Sequence, residues 1–557
     1  MTDLKIPVGI SDFAKIRNYD YYYVDKTGLI EDLLENETAE VTLITRPRRF
    51  GKTMGMSMLA NFFDIRKDSK AMFTGLEISK NAALCKEWMN QWPVVFLSFK
   101  NIDGDKFSLA YQQMVYEIGL LYDSYSELLS SNKLSEDDKA LFLQLKRRTA
   151  NEIDVLRSIQ FLLSLLYKHY GKTVILLLDE YDVPLAKSSA HGYYPDMLNV
   201  IKSMMTTSLK DNNTLRFAVI TGCLRIAKES IFTGTNNFVS DTISSSHLNE
   251  YFGFTQADVD QILKDADCME HADDIKNWYD GYHFGNLDVY CPWDVMNYLR
   301  DLQRNPKAKP ASYWKNTSDN SIIRSFIDYA GHSISRKLEI LLSGGYILQR
   351  IEENLTYDYL HSSEENLWSI LYLTGYLTQA REEDLPEPLP EGSSALMIPN
   401  AEVREIFETT IQKWFDESAQ TWNRKALFDA AWSGDTETLT KEMNKLLRKT
   451  ISYHDYREDF YHAFLAGIFA GAGYEVDSNK EHGEGRSDVV VLDPEGDRVA
   501  IFEAKYSRTQ DAMPRDCAAA LQQIEDRQYA KEFEEDYDSI LCYGIAFYKK
   551  RCLVQTK

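Results

Sequence analysis

At 557 residues, 44% hydrophobic and 12% aromatic, the chain has material for roughly two to four ordinary globular domains. Its 62 Lys and Arg stand against 85 Asp and Glu, a formal charge of −23, which excludes passive nucleic-acid binding by the whole surface but not a local basic groove. Seven scattered cysteines without a Cys-x-x-Cys pair argue against a disulfide framework or a zinc site, and no apolar run approaches the ~20 residues of a membrane span.

The start, Met1-Thr2-Asp3-Leu4-Lys5, carries no apolar signal core, so a reduced, cytoplasmic protein without a membrane partner is expected. Tyr21-Tyr22-Tyr23-Val24-Asp25-Lys26-Thr27 precedes a helical stretch from Gly28 to Asn36. These aromatics could pack on a nucleotide base; an ordinary edge strand is the simpler reading. Next comes the apolar, β-branched run Val41-Thr42-Leu43-Ile44-Thr45, then Arg46-Pro47-Arg48-Arg49-Phe50-Gly51-Lys52-Thr53 and helical spacing at Met54, Met58, Leu59 and Phe62. Strand, basic loop, Gly-Lys-Thr and helix form the context of a phosphate-binding loop. Backbone N–H groups and the helix N-terminus would face the anion, Lys52 would reach the outer phosphates, and the Thr53 hydroxyl would ligate Mg²⁺. Arg46 stands where the usual pattern has a glycine.

A second buried strand is expected at Trp92–Phe99, with helical sequence to about Tyr125, a polar loop or cap at Ser130–Lys139, and a helix over Glu152–Tyr170. Val174-Ile175-Leu176-Leu177-Leu178 then runs into Asp179-Glu180, placing two carboxylates at the end of a doubly covered strand, where ligands of parallel sheets sit. Asp179 suits the outer shell of Mg²⁺, and Glu180 suits polarising a water. Leu215–Ile220 is a third strand, ending in Thr221-Gly222. Thr221 is positioned to sense a γ-phosphate. Arg225 is either a phosphate contact or a structural arginine. The expected fold is a doubly wound α/β nucleotide domain.

Tyr23-Val24-Asp25-Lys26-Thr27, the Arg46–Thr53 loop, Asp179-Glu180-Tyr181-Asp182 and Thr221-Gly222-Cys223-Leu224-Arg225-Ile226-Ala227-Lys228-Glu229-Ser230 resemble the prokaryotic AAA-ATPase-like family. There a P-loop ATPase of the STAND-like branch is fused to a PD-(D/E)XK nuclease-like domain. The resemblance covers essentially the whole chain. It implies a nucleotide site made of Arg46, Arg48, Arg49, Phe50, Gly51, Lys52, Thr53, Asp179, Thr221 and Arg225, with Glu180 catalytic. It also makes Arg46 an expected variant of the loop. Phe252-Gly253-Phe254-Thr255, Trp278–Gly285 and Tyr290-Cys291-Pro292-Trp293 resemble family motifs of a helical lid, with His283 read as structural rather than as a nucleotide contact. A helix at Leu367–Leu377, the Pro-broken loop 384–392 and the flanking apolar runs fit a winged-helix-like hairpin.

The resemblance and the residues meet again near the end. Asp488 begins one expected strand, while Glu503 and Lys505 share a face of the next. A helix at Tyr456–Gly471 carries Glu458 and His462, and a later helix carries Gln522 and Gln523. Asp on one strand and Glu-x-Lys on its neighbour is the PD-(D/E)XK signature. Asp488, Glu503 and Glu458 would hold Mg²⁺ or Mn²⁺, Lys505 would activate water and stabilise the phosphate, and Gln523 would contact phosphate or water. Residues 451–557 hold 13 basic and 21 acidic residues, so no basic groove is expected from composition.

The expected domains are residues 1–240, a P-loop ATPase; 241–450, a helical lid with a winged-helix-like region; and 451–557, a PD-(D/E)XK nuclease-like α/β domain. The expected activity is Mg²⁺-dependent ATP hydrolysis controlling a nuclease that acts on nucleic acid, in defence against foreign DNA or RNA by analogy. A homo-oligomer is compatible with that role. The alternative is a nucleotide-sensing interaction protein whose nuclease fold does not cut.

Overall fold

The computed structural model describes residues 4–35, 39–226, 238–314, 337–338, 340–355, 357, 363–386, 388–420, 425–450, 461, 464–466, 468–469, 474–478, 481–482, 485–486, 489–494, 496–534, 536–549 and 551–557. It divides into two compact units, residues 1–318 with 346–404 and residues 319–345 with 405–557.

The first unit is built on five strands: β1 (Val41–Thr45), β2 (Val94–Ser98), β3 (Val174–Asp179), β4 (Leu215–Gly222) and β5 (Phe238–Asp241). All pair in parallel, in the order β2-β3-β4-β1-β5. Every residue of β3 is buried, as a central strand covered on both faces requires. On one face Ile44, Ile175, Leu177 and Val219 meet Met58, Phe62 and Phe63 of the helix Lys52–Phe63. The register aligns Ser98 with Asp179, Leu178 with Ile220, and Thr45 with Gly222. The carboxyl ends of four strands therefore finish in one row, with the loop after β1 among them.

The stretch at Tyr21–Lys26 is not an edge strand. It is extended but joins no sheet, because β5 takes the edge beside β1. Its Tyr22 and Val24 pack instead against a cluster centred on Ile262, Tyr279 and Leu299. That cluster gathers the helices Gln256–Asp265, Ala272–Tyr279 and Pro292–Arg304, and a hairpin of β6 (Tyr282–Phe284) and β7 (Leu287–Val289) lies between the last two. Further on, the helix Glu364–Leu373 leads into β9 (Thr378–Gln379) and β10 (Ser394–Met397), which pair antiparallel, with β8 (Ile347–Gln349) on the other side of β10. The proline-rich stretch thus lies between the paired strands β9 and β10, as a winged-helix-like hairpin requires.

The second unit carries β11 (Glu475–Ser478), the small pair β12 (Glu481–His482) and β13 (Gly485–Arg486), then β14 (Val489–Asp493), β15 (Arg498–Tyr506), β16 (Ser539–Tyr548) and β17 (Arg551–Thr556). The mixed sheet runs β11-β14-β15-β16-β17, with only β15 and β16 parallel. They are joined by a crossover through the helix Met513–Asp526. Ala500, Phe502 and Ala504 pack with Leu439, Met443 and Leu447 of the helix Thr436–Thr450. Val499 and Ile501 face the other way, onto Ile524. By period-two alternation Glu503 and Lys505 continue this second face.

Candidate functional site

The loop after β1 ends in two residues of left-handed backbone, Arg49 (φ 75°) and Gly51 (φ 85°). The helix Lys52–Phe63 starts directly after Gly51. Its first N–H groups therefore point along the sheet edge, the arrangement that receives an anion. Lys52 is buried, and its Nζ donates to the carbonyls of Arg46 and Pro47, each at 2.8 Å. Thr53 Oγ1 donates to Asp179 Oδ2 at 2.9 Å, tying the loop to the end of β3.

The missing glycine has a physical replacement, since side chains rather than glycines hold the loop. The Arg46 guanidinium is wholly buried and turned away from the anion side. It pairs with Asp241 at the end of β5, donates to the carbonyls of Thr45 (2.9 Å) and Asp241 (3.1 Å), and lies over the rings of Phe252 and Phe284. Phe50 fits between Tyr282 and Phe284, with ring centroids 4.9 and 5.0 Å away. Arg49 lies over Trp293 and Trp314. Pro47 rests on Gly375, whose φ is 88° and where an added Cβ would stand 2.9 Å from Pro47 Cβ. The aromatic–glycine motifs of residues 252–293 thus acquire a role that the sequence did not reveal, as clamps on the phosphate loop.

Behind Arg49 lies a buried acid pair. Burial pushes the carboxyls of both Asp294 and Glu402 upward; Asp294 adds to the rise of Glu402, while hydrogen bonds with Cys291 and Glu402 and the charge of Arg49 hold Asp294 lower. The Trp314 amide donates to Glu402 Oε1 at 2.7 Å. Neither oxygen of Asp294 nor Glu402 Oε2 meets an N–H or hydroxyl donor among the described residues. The Cys291 thiol and a proton on Glu402 supply hydrogen bonds that Asp294 accepts.

The acidic side of the edge is equally ordered. Asp179 accepts from Thr53, from Thr221 Oγ1 at 2.7 Å and from Ser98 Oγ at 3.2 Å. This is a hard, all-oxygen set of the kind Mg²⁺ prefers. Ser98 escaped the sequence reading because only strand register brings it to Asp179. Glu180 has left-handed backbone (φ 53°), and its N–H donates to Thr221 Oγ1 at 3.3 Å. Burial raises the Glu180 carboxyl, with Lys52 pulling it down and Asp179 and Asp182 adding to the rise. Asp182 accepts from the amides of Cys223 and Leu224, each at 3.0 Å, and from Tyr357 at 3.1 Å. Gly222 permits this closeness, since a Cβ there would lie 2.7 Å from the Tyr181 ring. Arg48 is exposed at the loop surface. Arg225 lies beside the buried Tyr181. His283 is held by Asp288 (3.0 Å) and Thr378 in the β6–β7 hairpin, a structural place.

A cavity of about 360 Å³ opens against Gly51, Lys52 and Thr53. The residues 7–11, Tyr22, Tyr23, Phe254, Trp293 and Met296 line it together with Glu180. It joins an aromatic and aliphatic wall to a cationic, N–H-rich end, the pairing that a nucleotide's base and phosphates require. The aromatic segment around Tyr22 thus lines this cavity.

In the second unit, Lys505 Nζ donates to Glu503 Oε1 at 3.1 Å, and Glu503 is buried. Gln523 stands near the far end of its helix, one residue before Ile524, which packs on Val499 and Ile501. Glu458, His462 and Asp488 lie outside the described residues. Among the described residues no group of three or more His, Cys, Asp or Glu side chains gathers to hold a metal, and no helix is long and apolar enough to cross a membrane.

Residues 7–232 match the family described as Predicted AAA-ATPase, and residues 456–557 match the PD-(D/E)XK nuclease superfamily. The chain thus joins an AAA-ATPase-like region to a PD-(D/E)XK nuclease-superfamily region. Its alignment with "Uncharacterized protein in vnfD 5'region" of Azotobacter chroococcum mcd 1 is 25% identical over 565 residues, 98% of this chain and 97% of that protein.

Proposed function

We propose that the chain binds and hydrolyses ATP at the edge of its parallel sheet, and that this cycle controls a metal-dependent nuclease acting on nucleic acid, in cytoplasmic defence against foreign DNA or RNA. The working division is residues 1–240 for the ATPase, 241–450 for the lid and winged-helix-like region, and 451–557 for the nuclease. The carrying observation is the 2.9 Å hydrogen bond from Thr53 to Asp179 at the mouth of the 360 Å³ cavity. It joins the two halves of a phosphoryl-transfer site across strands distant in sequence. Lys52 offers its ammonium to the outer phosphates. Thr53 and Asp179 offer oxygens to Mg²⁺. Glu180, raised by burial, takes the proton of the attacking water. Arg48 and Arg49 steady phosphate charge, and Thr221 and Arg225 respond to the γ-phosphate. Mg²⁺, when bound, neutralises charge on the transferred group.

In the nuclease half Glu503 is the described carboxylate of a proposed set with Asp488 and Glu458, for Mg²⁺ or Mn²⁺. Lys505 stabilises the phosphate and assists water, and Gln523 contacts phosphate or water. A second reading, a nucleotide-sensing protein that binds without cutting, is favoured by the 21 acidic against 13 basic residues of positions 451–557.

One experiment on the full chain separates the readings. Mg²⁺-dependent ATP hydrolysis is expected to vanish in Lys52→Ala, and Mg²⁺- or Mn²⁺-dependent cleavage in Lys505→Ala. A wild type that neither binds nor hydrolyses ATP removes the ATPase half. Equal cleavage by wild type and Lys505→Ala, or none by either, removes the nuclease half.

A further inference from the structure

We infer that a basic groove on the outermost strand of the second unit's sheet, lined by Lys441, Lys445 and Arg551, holds the sugar–phosphate backbone of the nucleic acid presented to Glu503 and Lys505. The inference rests on the nuclease reading above and adds to it the path of the substrate. The groove encloses about 650 Å³ between the helix Thr436–Thr450, the start of β17 and the segment Gln510–Pro514.

Its position follows from register. Lys505 and Tyr506 of β15 pair with Ala546 and Phe547 of β16, while Phe547 and Tyr548 pair with Cys552 and Arg551 of β17. Arg551 therefore lies at the same end of the sheet as Lys505, two strands over. Two strand spacings are ~10 Å, about three phosphate rises along one nucleic-acid strand at ~3.4 Å each. The direct line crosses Ala546, which Met513 and Cys517 cover, and the helix Thr436–Thr450 packs on the opposite face, so a backbone in the groove would pass round this end of the sheet to reach Lys505.

The groove is built, not incidental. Asn444 donates to the Cys552 carbonyl and accepts from the Cys552 amide, both at 2.9 Å. Thr440 Oγ1 accepts from the Val554 amide at 3.0 Å. These bonds clamp the helix onto the free edge of β17, whose backbone groups would otherwise be open to pairing. Lys441 and Lys445 flank Asn444 on the same helix face. From the opposite wall Arg551 donates to Gln510 Oε1 at 3.0 Å, which holds its side chain over the groove.

Local charge runs against the net charge. Among the described residues neither Lys441 nor Arg551 pairs with a carboxylate, and two of the neighbouring acids are engaged. Glu442 pairs with Lys445, and Asp516 accepts from Ser507 and Arg515. Exposed Arg508 and Lys549 extend the positive edge, while exposed Asp511 and Glu437, one turn before Lys441, run against it. A count over residues 451–557 omits Lys441 and Lys445 and averages away this edge. Met513, Pro514 and Leu553 add an apolar floor for sugar faces.

The test is affinity of the full chain for a labelled oligonucleotide in EDTA, as single strand and as duplex, across a salt series. Lys441→Ala/Arg551→Ala is expected to weaken binding about tenfold and to reduce the log–log salt slope by about 0.7–0.9 per lost contact. Lys441→Arg/Arg551→Lys is expected to restore both, which a mere folding defect would not allow. Unchanged affinity and slope in the alanine variant, with cleavage still dependent on Lys505, overturns the groove and leaves the nuclease reading standing. A wild type that neither binds nor cuts removes both.

Discussion

The phosphate loop of the first unit and the Glu503–Lys505 pair of the second hold their charges by opposite means. The loop is held from outside: Arg46, Pro47, Arg49 and Phe50 are each gripped by side chains or glycines from distant parts of the chain. Glu503 and Lys505 are held from within, by the two-residue period of one strand. A loop that lacks the usual glycine can keep its shape if buried side chains fix it, but its integrity then depends on residues that never meet the nucleotide. The spacing of Glu503 and Lys505 is set by their own strand. Substitutions remote from the chemistry should therefore damage the first site more than the second.

The strongest way to break this contrast is the ion pair under the loop. Asp241→Ala would leave the Arg46 guanidinium charged and wholly buried. Removing one partner of a buried pair costs about 3–5 kcal/mol. The first unit should lose that stability in denaturant or thermal unfolding, and ATP binding should weaken with it. Arg46→Met/Asp241→Leu, which removes both charges, should cost less than the two single changes added together. Strict additivity would show that the pair does not support the loop.

Much of both sites is legible in the chain because it depends on short-range pattern. The apolar run into Asp179-Glu180, the Gly-Lys-Thr after a strand and the Glu-x-Lys spacing each place chemistry by local periodicity. What stayed hidden depends on register and tertiary packing. Ser98 reaches Asp179 only because β2 pairs with β3 in one alignment. Tyr22 looked like an edge-strand residue because its neighbours suit a strand, but the edge was taken by β5. The Lys441–Arg551 groove needs a helix and a strand from separate segments, so no window of sequence contains it.

A smaller perturbation tests the grip on Pro47. Gly375→Ala places a Cβ 2.9 Å from Pro47 Cβ in a backbone conformation (φ 88°) that disfavours alanine. Overpacking of this kind costs about 1–3 kcal/mol. Pro47 should shift, and with it the carbonyl that accepts from Lys52. The expected readout is an ATP KM raised several-fold, with oligonucleotide cleavage by the second unit in the absence of ATP unchanged. Equal loss of both activities would point to general misfolding rather than to the loop.

The mildest test uses pH on the Asp294–Glu402 pair. Both carboxyls are raised by burial, Asp294 to about 6 and Glu402 further still. The folded state therefore binds more protons than the unfolded state once pH exceeds the ordinary carboxylate range. Stability supplied by the shared proton is complete below that range and is lost as pH rises through the folded values. The slope is at most ~1.4 kcal/mol per pH unit for each excess proton. Arg49, Cys291, Tyr282 and Tyr279 face the pair, and Arg49 works against the rise in Asp294. The unfolding midpoint of the first unit should therefore fall from pH 6 to pH 8. Glu402→Gln should flatten that fall, because an amide donates to Asp294 without needing a proton from solution. A Glu402→Gln variant as steep as wild type would mean that the proton is not shared, and that the Trp314–Glu402 contact beside Arg49 is held by ordinary packing.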